Sequence, residues 1–490
     1  MRIGLDFGTT NSGAAVFDGR RVRVLPIDPA SRNPSVIRSL LYITRGHEVF
    51  IGQEAMDMYY RQNVGRPSKM VRQRVGEIEL TFAELGTFVQ DVYVMIDELT
   101  PGRLLHSLKS ELSGDYEGTA IFGRYYELEE LLAVYLREVR RRVEAETGQA
   151  VDGVTMGRPV EFVGSDAEAG SQRAEARLRR AAEMAGFKDI TFELEPVAAA
   201  LHYELMTDGP QNVLVFDFGG GTLDVTVMRI GEPGRRQVHA TGGLGIAGDA
   251  FDQRIIEALM LDHFGRGSSW GEDADVERAS ADIDHASADA MPAGCRRSVG
   301  RASAASQAPF PSQYTAALVH WQNIPDLNRP ETLHFLEWAQ ITGSHPSRVR
   351  ALESLLVNNH AIHMIDEVER AKIALSNAHF ALIRLIGEDI NVWQPLARSQ
   401  FEALIADATR RIEACLLDAV ERSGLQLSEI DTVVRTGGSA QIPCFIEMLG
   451  RIFGPDKVFL SDVFSGVAAG LAVRARLGVE GGETPPLQTV

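Results

Sequence analysis

The sequence predicts an α/β fold of two facing lobes with a ligand cleft between them. Two observations carry that prediction. The first is a weak internal repeat: residues 2–18 read RIGLDFGTTNSGAAVFD and residues 212–228 read NVLVFDFGGGTLDVTVM. Each copy runs from an apolar stretch through Asp-Phe-Gly and a short Gly/Thr turn to a second apolar stretch, which is the pattern of a β-hairpin. The second is length. A chain of 490 residues exceeds what one hydrophobic core organises, so two large units are expected. Two similar hairpins then suggest two similar lobes, and ligand pockets form between such units.

The remaining elements follow in order. Residues 127–147 place Leu128, Leu131, Leu132, Tyr135, Leu136 and Val139 at helical spacing, with Gly148 as the stop. Residues 172–185 read as a helix ending at Gly186. Pro196 suits the first turn of a helix running through Ala198-Ala-Ala-Leu-His-Tyr-Glu. Residues 352–375 and 401–423 each read as one long helix. Residues 266–312 are rich in Ala, Ser, Gly, Asp and Arg and poor in large apolar residues. That composition predicts a flexible insertion, since it buries too little surface to offset ordering entropy; a lineage-specific binding element is the alternative. The C-terminal GVEGGETPPLQTV reads as a loose tail.

A net charge of -18 opposes general binding to nucleic acid or anionic membranes, which needs a basic face. It does not oppose an anionic nucleotide, which a few local donors and a metal ion can hold. Cys295, Cys415 and Cys444 are widely spaced and form no CxxC pair, so neither a disulfide framework nor a zinc site is expected. Free thiols fit a reducing cytoplasm. The chain opens on strand-like residues with no leader pattern, and no run of about 18 apolar residues predicts a membrane span.

The chemistry concentrates in the two hairpin turns. Gly8, Thr9, Thr10 and Asn11 offer backbone amides and hydroxyls to phosphate oxygens, and Gly219, Gly220, Gly221 and Thr222 do so with more glycine. Either loop alone is equally well an ordinary turn; the pair, each following an Asp, is not. Asp6, Asp217 and Asp224 are hard oxygen ligands suited to Mg²⁺, directly or through its waters. One of them, or Glu195, could orient an attacking water, although Asp224 also fits a turn cap and Glu195 a residue leading into a helix. A third glycine turn, Thr436-Gly-Gly-Ser-Ala-Gln-Ile-Pro443, follows a strand-like run and lets a flat ligand approach the backbone.

Taken in order, IGLDFGTTNS, LEPVAAAL, VLVFDFGGGTLDVTV, AGDAFDQRI, EVERAKIALS and RTGGSAQIP resemble the DnaK-type heat-shock chaperone family, within the actin, sugar-kinase and chaperone superfamily. The resemblance implies an actin-like ATPase fold, with a duplicated ribonuclease-H-like sheet in each lobe and ATP or ADP with Mg²⁺ in the cleft. It implies lobe I at 1–209 (core about 1–40 and 127–209, subdomain about 41–126) and lobe II at 210–460 (core about 210–245 and 394–460, subdomain about 246–393). A helix at 461–478 would return to lobe I, and 479–490 would be the tail.

The same resemblance assigns phosphate contacts to Thr9, Thr10 and Gly219 to Thr222, with Gly248 and Asp249 beside them. It gives Mg²⁺ and its waters to Asp6 and Asp217, and water positioning to Glu195 and Asp224. Glu369, Lys372 and Ser376 match the adenosine-side helix, and Gly437, Gly438, Ser439 and Gln441 the opposite wall. Lys109 is the candidate catalytic lysine, its alternative being a solvated surface lysine; Pro159 matches a hinge proline. Ile373 and Gln441 stand where arginines are usual, which removes a cation–π or charge contribution, and Ala247 stands for a glycine. The chain stops soon after Arg474, so the family's linker and peptide-binding domain are expected to be missing. The expected activity is slow Mg-dependent ATP hydrolysis that switches the lobes for a client or co-chaperone. A sugar-type kinase and a non-catalytic ATP-sensing scaffold are the alternatives.

Overall fold

The structure is a computed structural model and describes residues 1–82, 86–160, 162, 167–231, 236–271, 307–320, 324–460, 466–477 and 488–489. Its frame is a pair of sheets with one shared topology. The first runs Asp189–Leu194, Gly153–Arg158, Arg2–Phe7, Asn11–Phe17, Val22–Val24. The second runs Val458–Leu460, Thr432–Thr436, Gln211–Phe218, Leu223–Ile230, Gln237–Leu244. In each, the first hairpin strand lies antiparallel to its hairpin partner and parallel to a later strand on its other side. The sequence repeat is thus a structural repeat.

The second sheet explains its apolar run. Val213, Leu214, Val215 and Phe216 are all fully buried, because both faces of the sheet are covered. Leu214 and Phe216 face the main core of lobe II, while Val213 and Val215 face helix Glu195–Glu204. In the first sheet Ile3, Leu5 and Phe7 point into a core shared with helix Leu128–Thr147. Gly148 ends that helix in the left-handed region, φ 67°, as its position in the sequence predicts.

Helix Gly466–Leu477 packs on the first sheet and crosses Glu195–Glu204, with Val467 and Leu471 joining the cluster around Val213 and Val215. The crossing depends on Gly470, where an added Cβ would overlap the carbonyl oxygen of Ala198. Backbone cannot yield as a side-chain tip can. Gly470→Val is expected to cost about 3 kcal/mol by overpacking, read as a lowered urea midpoint at unchanged m-value.

Four sequence expectations need correction. The helix expected over 352–375 is two, Pro346–Val357 and Ala361–Leu375. Asn359 between them takes φ 57°, which frees the carbonyls of Val357 and Asn358 to accept from the N–H groups of Ser68 and Gly65. The helix expected over 401–423 is likewise two, Arg398–Leu404 and Ala406–Arg422, broken at Ile405. The ends of the expected flexible insertion are ordered. Ser269–Gly271 pairs antiparallel with Gln307–Pro309, and Phe310 is buried in the lobe II core; residues 272–306 lie outside the described residues. Within the expected tail, Gln488–Thr489 adds a short parallel strand beside Gln237–Leu244. Among the described residues no helix is long and apolar enough to cross a membrane. Cys415 and Cys444 are free thiols, and Cys295 lies outside the described residues.

Candidate functional site

Asp6 and Asp217 end corresponding strands of the two sheets, so the repeat delivers one carboxylate from each lobe to a common cleft. That cleft holds about 1340 Å³ of space out to its open mouth. Every residue singled out in the sequence as a site candidate lines it. Asp6, Lys109, Glu195, Asp217 and Asp224 form one end, and the loops 8–11 and 219–222 flank them. Gly248, Asp249, Glu369, Lys372, Ser376, Gly437, Gly438, Ser439 and Gln441 form the other. Pro159 is buried just outside, after strand Gly153–Arg158. Next to it, the backbone N–H of Val160 donates to Asp224. Ser12, Val36, Asn377, Thr436, Ile442 and Val467 also line the cleft; Ser12, Thr436 and Ile442 belong to the motifs already read, while Val36, Asn377 and Val467 stand outside any motif.

The carboxylate end is electrostatically loaded. Lys109 is buried, and its Nζ donates to Glu195 Oε1 at 2.7 Å, so it is not a solvated surface lysine. Burial disfavours its charge, but Glu195 and Asp6 outweigh that and hold its pKa above the ordinary value. Asp6 is pushed up to about 7 by burial and then by Glu195, against the pull of Lys109. Asp224 also reaches about 7, through burial and Glu195. Asp217 is lifted well above the usual carboxylate range by burial, then by Glu195, Asp224 and Asp6. Its register partner across the hairpin is Asp224, so like charges stand directly opposed. Four carboxylates around one ammonium are short of positive charge, which a divalent cation would supply. Among the described residues no three His, Cys, Asp or Glu groups converge to hold a metal directly. A hydrated divalent cation such as Mg²⁺ would suit a charge shortfall of this kind.

The loops 8–11 and 219–222 are pinned from behind. The N–H groups of Gly248 and Asp249 donate to the carbonyls of Gly219 and Gly220 at 3.3 and 2.9 Å. Ser39 Oγ donates to the carbonyl of Gly8 at 2.7 Å. Thr10 Oγ1 is buried against Gly220 without a hydrogen-bond partner among the described residues, a donor in want of an acceptor such as a phosphate oxygen. Gly437 has φ 85°, and a Cβ there would strike the backbone at Phe218, so the third glycine turn needs glycine for close packing onto the start of loop 219–222. Ser439 Oγ donates to the carbonyl of Gly219 at 2.6 Å, tying the two loops together. Ala247 is fully buried and extended, φ -155°, a conformation alanine adopts without strain.

On helix Ala361–Leu375 the charged candidates do not pair with each other. Lys372 Nζ donates to Asp252 Oδ2 at 2.6 Å and to the carbonyl of Gly248 at 2.9 Å. Glu369 Oε2 accepts from Arg38 at 2.9 Å, and Asp366 Oδ1 accepts from the same guanidinium at 2.8 Å. Tyr60 donates to Asp366 Oδ2 at 2.8 Å. With the main-chain bonds from Gly65 and Ser68, and Asn328 Nδ2 donating to Ser68 Oγ at 2.7 Å, these contacts strap residues 38–68 to residues 328–369, beside the cleft wall at Glu369. Ile373, in place of the usual arginine, is 57% exposed at the cleft edge and offers an apolar surface there instead of a cation.

The comparisons with known proteins agree with this geometry. A family model described as "Hsp70 protein" matches residues 2–279 and 355–484. The chain is 25% identical over 483 residues to the protein named "Chaperone protein DnaK" of Deinococcus proteolyticus, covering 96% of this chain and 58% of that protein. It is 26% identical over 483 residues to the protein of the same name from Deinococcus radiodurans, covering 96% and 59%. The chain therefore spans less than two thirds of the length of these relatives. Since the family model covers most of its residues, the chain belongs to the Hsp70 family and has that family's actin-like ATPase fold.

Proposed function

We propose that the chain binds Mg·ATP in this cleft, hydrolyses it slowly, and uses the difference between its nucleotide states to set the closure of the two lobes for a partner protein. One observation carries the reading: Lys109, Glu195 and three aspartates with raised pKa values meet between two phosphate-sized loops. In this reading Thr9, Thr10 and the amides of Gly219 to Thr222 hold the phosphates. Asp6 and Asp217 hold magnesium through its waters, and the ion would supply positive charge to the phosphate oxygens. Lys109 stabilises charge on the transferred phosphoryl group, held in place by Glu195. Glu195 and Asp224 position the attacking water. Such chemistry asks for placement and charge rather than covalent catalysis. Gly437, Gly438 and Ser439 wall the nucleoside on one side; Glu369, Lys372 and Ser376 wall it on the other. The lobes divide at about 209/210 and 460/461. The free thiols suit a reducing, cytoplasmic setting.

Phosphate release from ATP with and without Mg²⁺ tests the reading. Slow, Mg-dependent, stoichiometric production of ADP is expected; absence of ADP would refute hydrolysis. The strap from Arg38 to helix Ala361–Leu375 gives a second expectation. Arg38→Ala removes both ion pairs to helix Ala361–Leu375 and is expected to speed ADP release ~10-fold, equivalent to about 1.4 kcal/mol. Stopped-flow displacement of a fluorescent ADP measures that rate.

A further inference from the structure

The ribbon of Met70–Phe82 and Gly86–Asp97 lines no part of the cleft. Its 13-residue and 12-residue strands pair with each other. Among the described residues neither pairs with a further strand. A lone two-stranded sheet is marginal in water, and free edges invite pairing with another chain.

The register determines which positions share a face. Arg74 lies opposite Tyr93 and Gly76 opposite Val92, so Val75 is an extra residue, a bulge, on the first strand. Beyond the bulge the alternation shifts by one, and positions 72, 74, 77 and 79 fall on the same face. The sequence puts Arg at 72 and 74 and Glu at 77 and 79. Positions 71, 73, 78 and 80, which are Val, Gln, Ile and Leu, share the other face.

We propose that the chain forms a two-fold dimer by pairing strand Met70–Phe82 antiparallel, edge to edge, with the same strand of a second copy, the axis passing between positions 75 and 76. In that register Arg72 falls opposite Glu79 of the partner subunit, and Arg74 opposite Glu77 of the partner subunit. Symmetry repeats both pairs, and opposite charges at directly opposed positions favour one register. On the other face Val71 falls opposite Leu80 of the partner subunit. Sliding the strands by two residues in either direction loses half of the charge pairs. The alternative edge, strand Gly86–Asp97, carries Asp91 and Asp97 and no Lys or Arg, so self-pairing there has no such complement. The product is a four-stranded sheet, above the strand count at which sheets become stable.

Sedimentation velocity of the full chain tests this, with two charge-reversed double variants. Wild type is expected to populate a dimer as concentration rises. Arg72→Glu with Arg74→Glu is expected to stay monomeric, as is Glu77→Arg with Glu79→Arg. An equimolar mixture of the two variants is expected to dimerise, since every opposed pair is then of opposite sign. The ribbon lies outside the cleft, so each variant should keep the wild-type melting shift with Mg·ATP, which excludes misfolding as the cause of monomers. A wild type that stays monomeric at every concentration, a double variant that still dimerises, or a mixture that stays monomeric overturns the proposal.

Discussion

Lys109→Ala is expected to lower ATP turnover by ~10²–10³-fold, the usual loss when one preorganised charge-stabilising donor is removed, while ADP still binds within a few-fold of wild type. In the proposed reading the ammonium acts on the phosphoryl end of the site, and Glu369, Ser376 and Gly437, which line the other end of the cleft, should be unaffected. The substitution also leaves Glu195 without its partner at 2.7 Å. Breaking a buried ion pair from one side costs about 3–5 kcal/mol, so nucleotide-free Lys109→Ala should also melt earlier than wild type. Adding Glu195→Gln should recover much of that stability without recovering turnover. Single-turnover hydrolysis beside thermal melting separates the two effects.

Asp217→Asn is expected to move stability and function in opposite directions. In the unfolded chain Asp6 and Asp224 titrate near 3.8; in the folded protein each reaches about 7, and Asp217 is also raised, well above its ordinary value. Between pH 4 and 7, roughly, the folded protein therefore holds protons that the unfolded chain has released. Stability of the nucleotide-free protein is thus greatest at the acid end of this window. It falls as pH rises through it and stays lower above it. Asp217→Asn removes one of the crowded charges. It should stabilise the nucleotide-free protein at pH 8 and, by less, at pH 5, with the effect vanishing only near the ordinary carboxylate pKa. It should also flatten the pH dependence, since the shifts of the remaining aspartates lose a repulsive neighbour. The same variant should lose most of the extra melting stability that Mg·ATP gives wild type, and hydrolyse ATP far more slowly. Melting curves at pH 5 and pH 8, with and without Mg·ATP, test both halves. A variant that is less stable than wild type at pH 8 would show that the aspartates are not in mutual repulsion.

Features fixed by local pattern were legible in the sequence. The Asp-Phe-Gly hairpins announced the duplicated sheets, because an apolar run, a turn and a second apolar run are a short-range signal. Gly148 and Pro196 marked helix ends for the same reason. Features fixed by the other lobe were not legible. The break at Asn359 exists where two freed carbonyls meet Gly65 and Ser68 from lobe I, and nothing between Leu352 and Leu375 forecasts those partners. Arg38 carries no local signal, since its partners Asp366 and Glu369 lie more than 300 positions away. A reading of Glu369 and Lys372 as a close-spaced helical pair fits the spacing. It fails because Arg38 pairs with Glu369 and Asp252 with Lys372 instead. Lys109 is the intermediate case: a loose motif nominated it, and its bond to Glu195 places it in the site.

Isothermal titration of the wild-type chain with ATP, in the presence and absence of Mg²⁺, tests the central claim most directly. The account predicts one ATP per chain, bound more tightly with Mg²⁺ and with tightening that grows as pH rises and the aspartates lose their protons. Absence of binding heat together with absence of any ATP-induced melting shift, or affinity indifferent to both Mg²⁺ and pH, would contradict it.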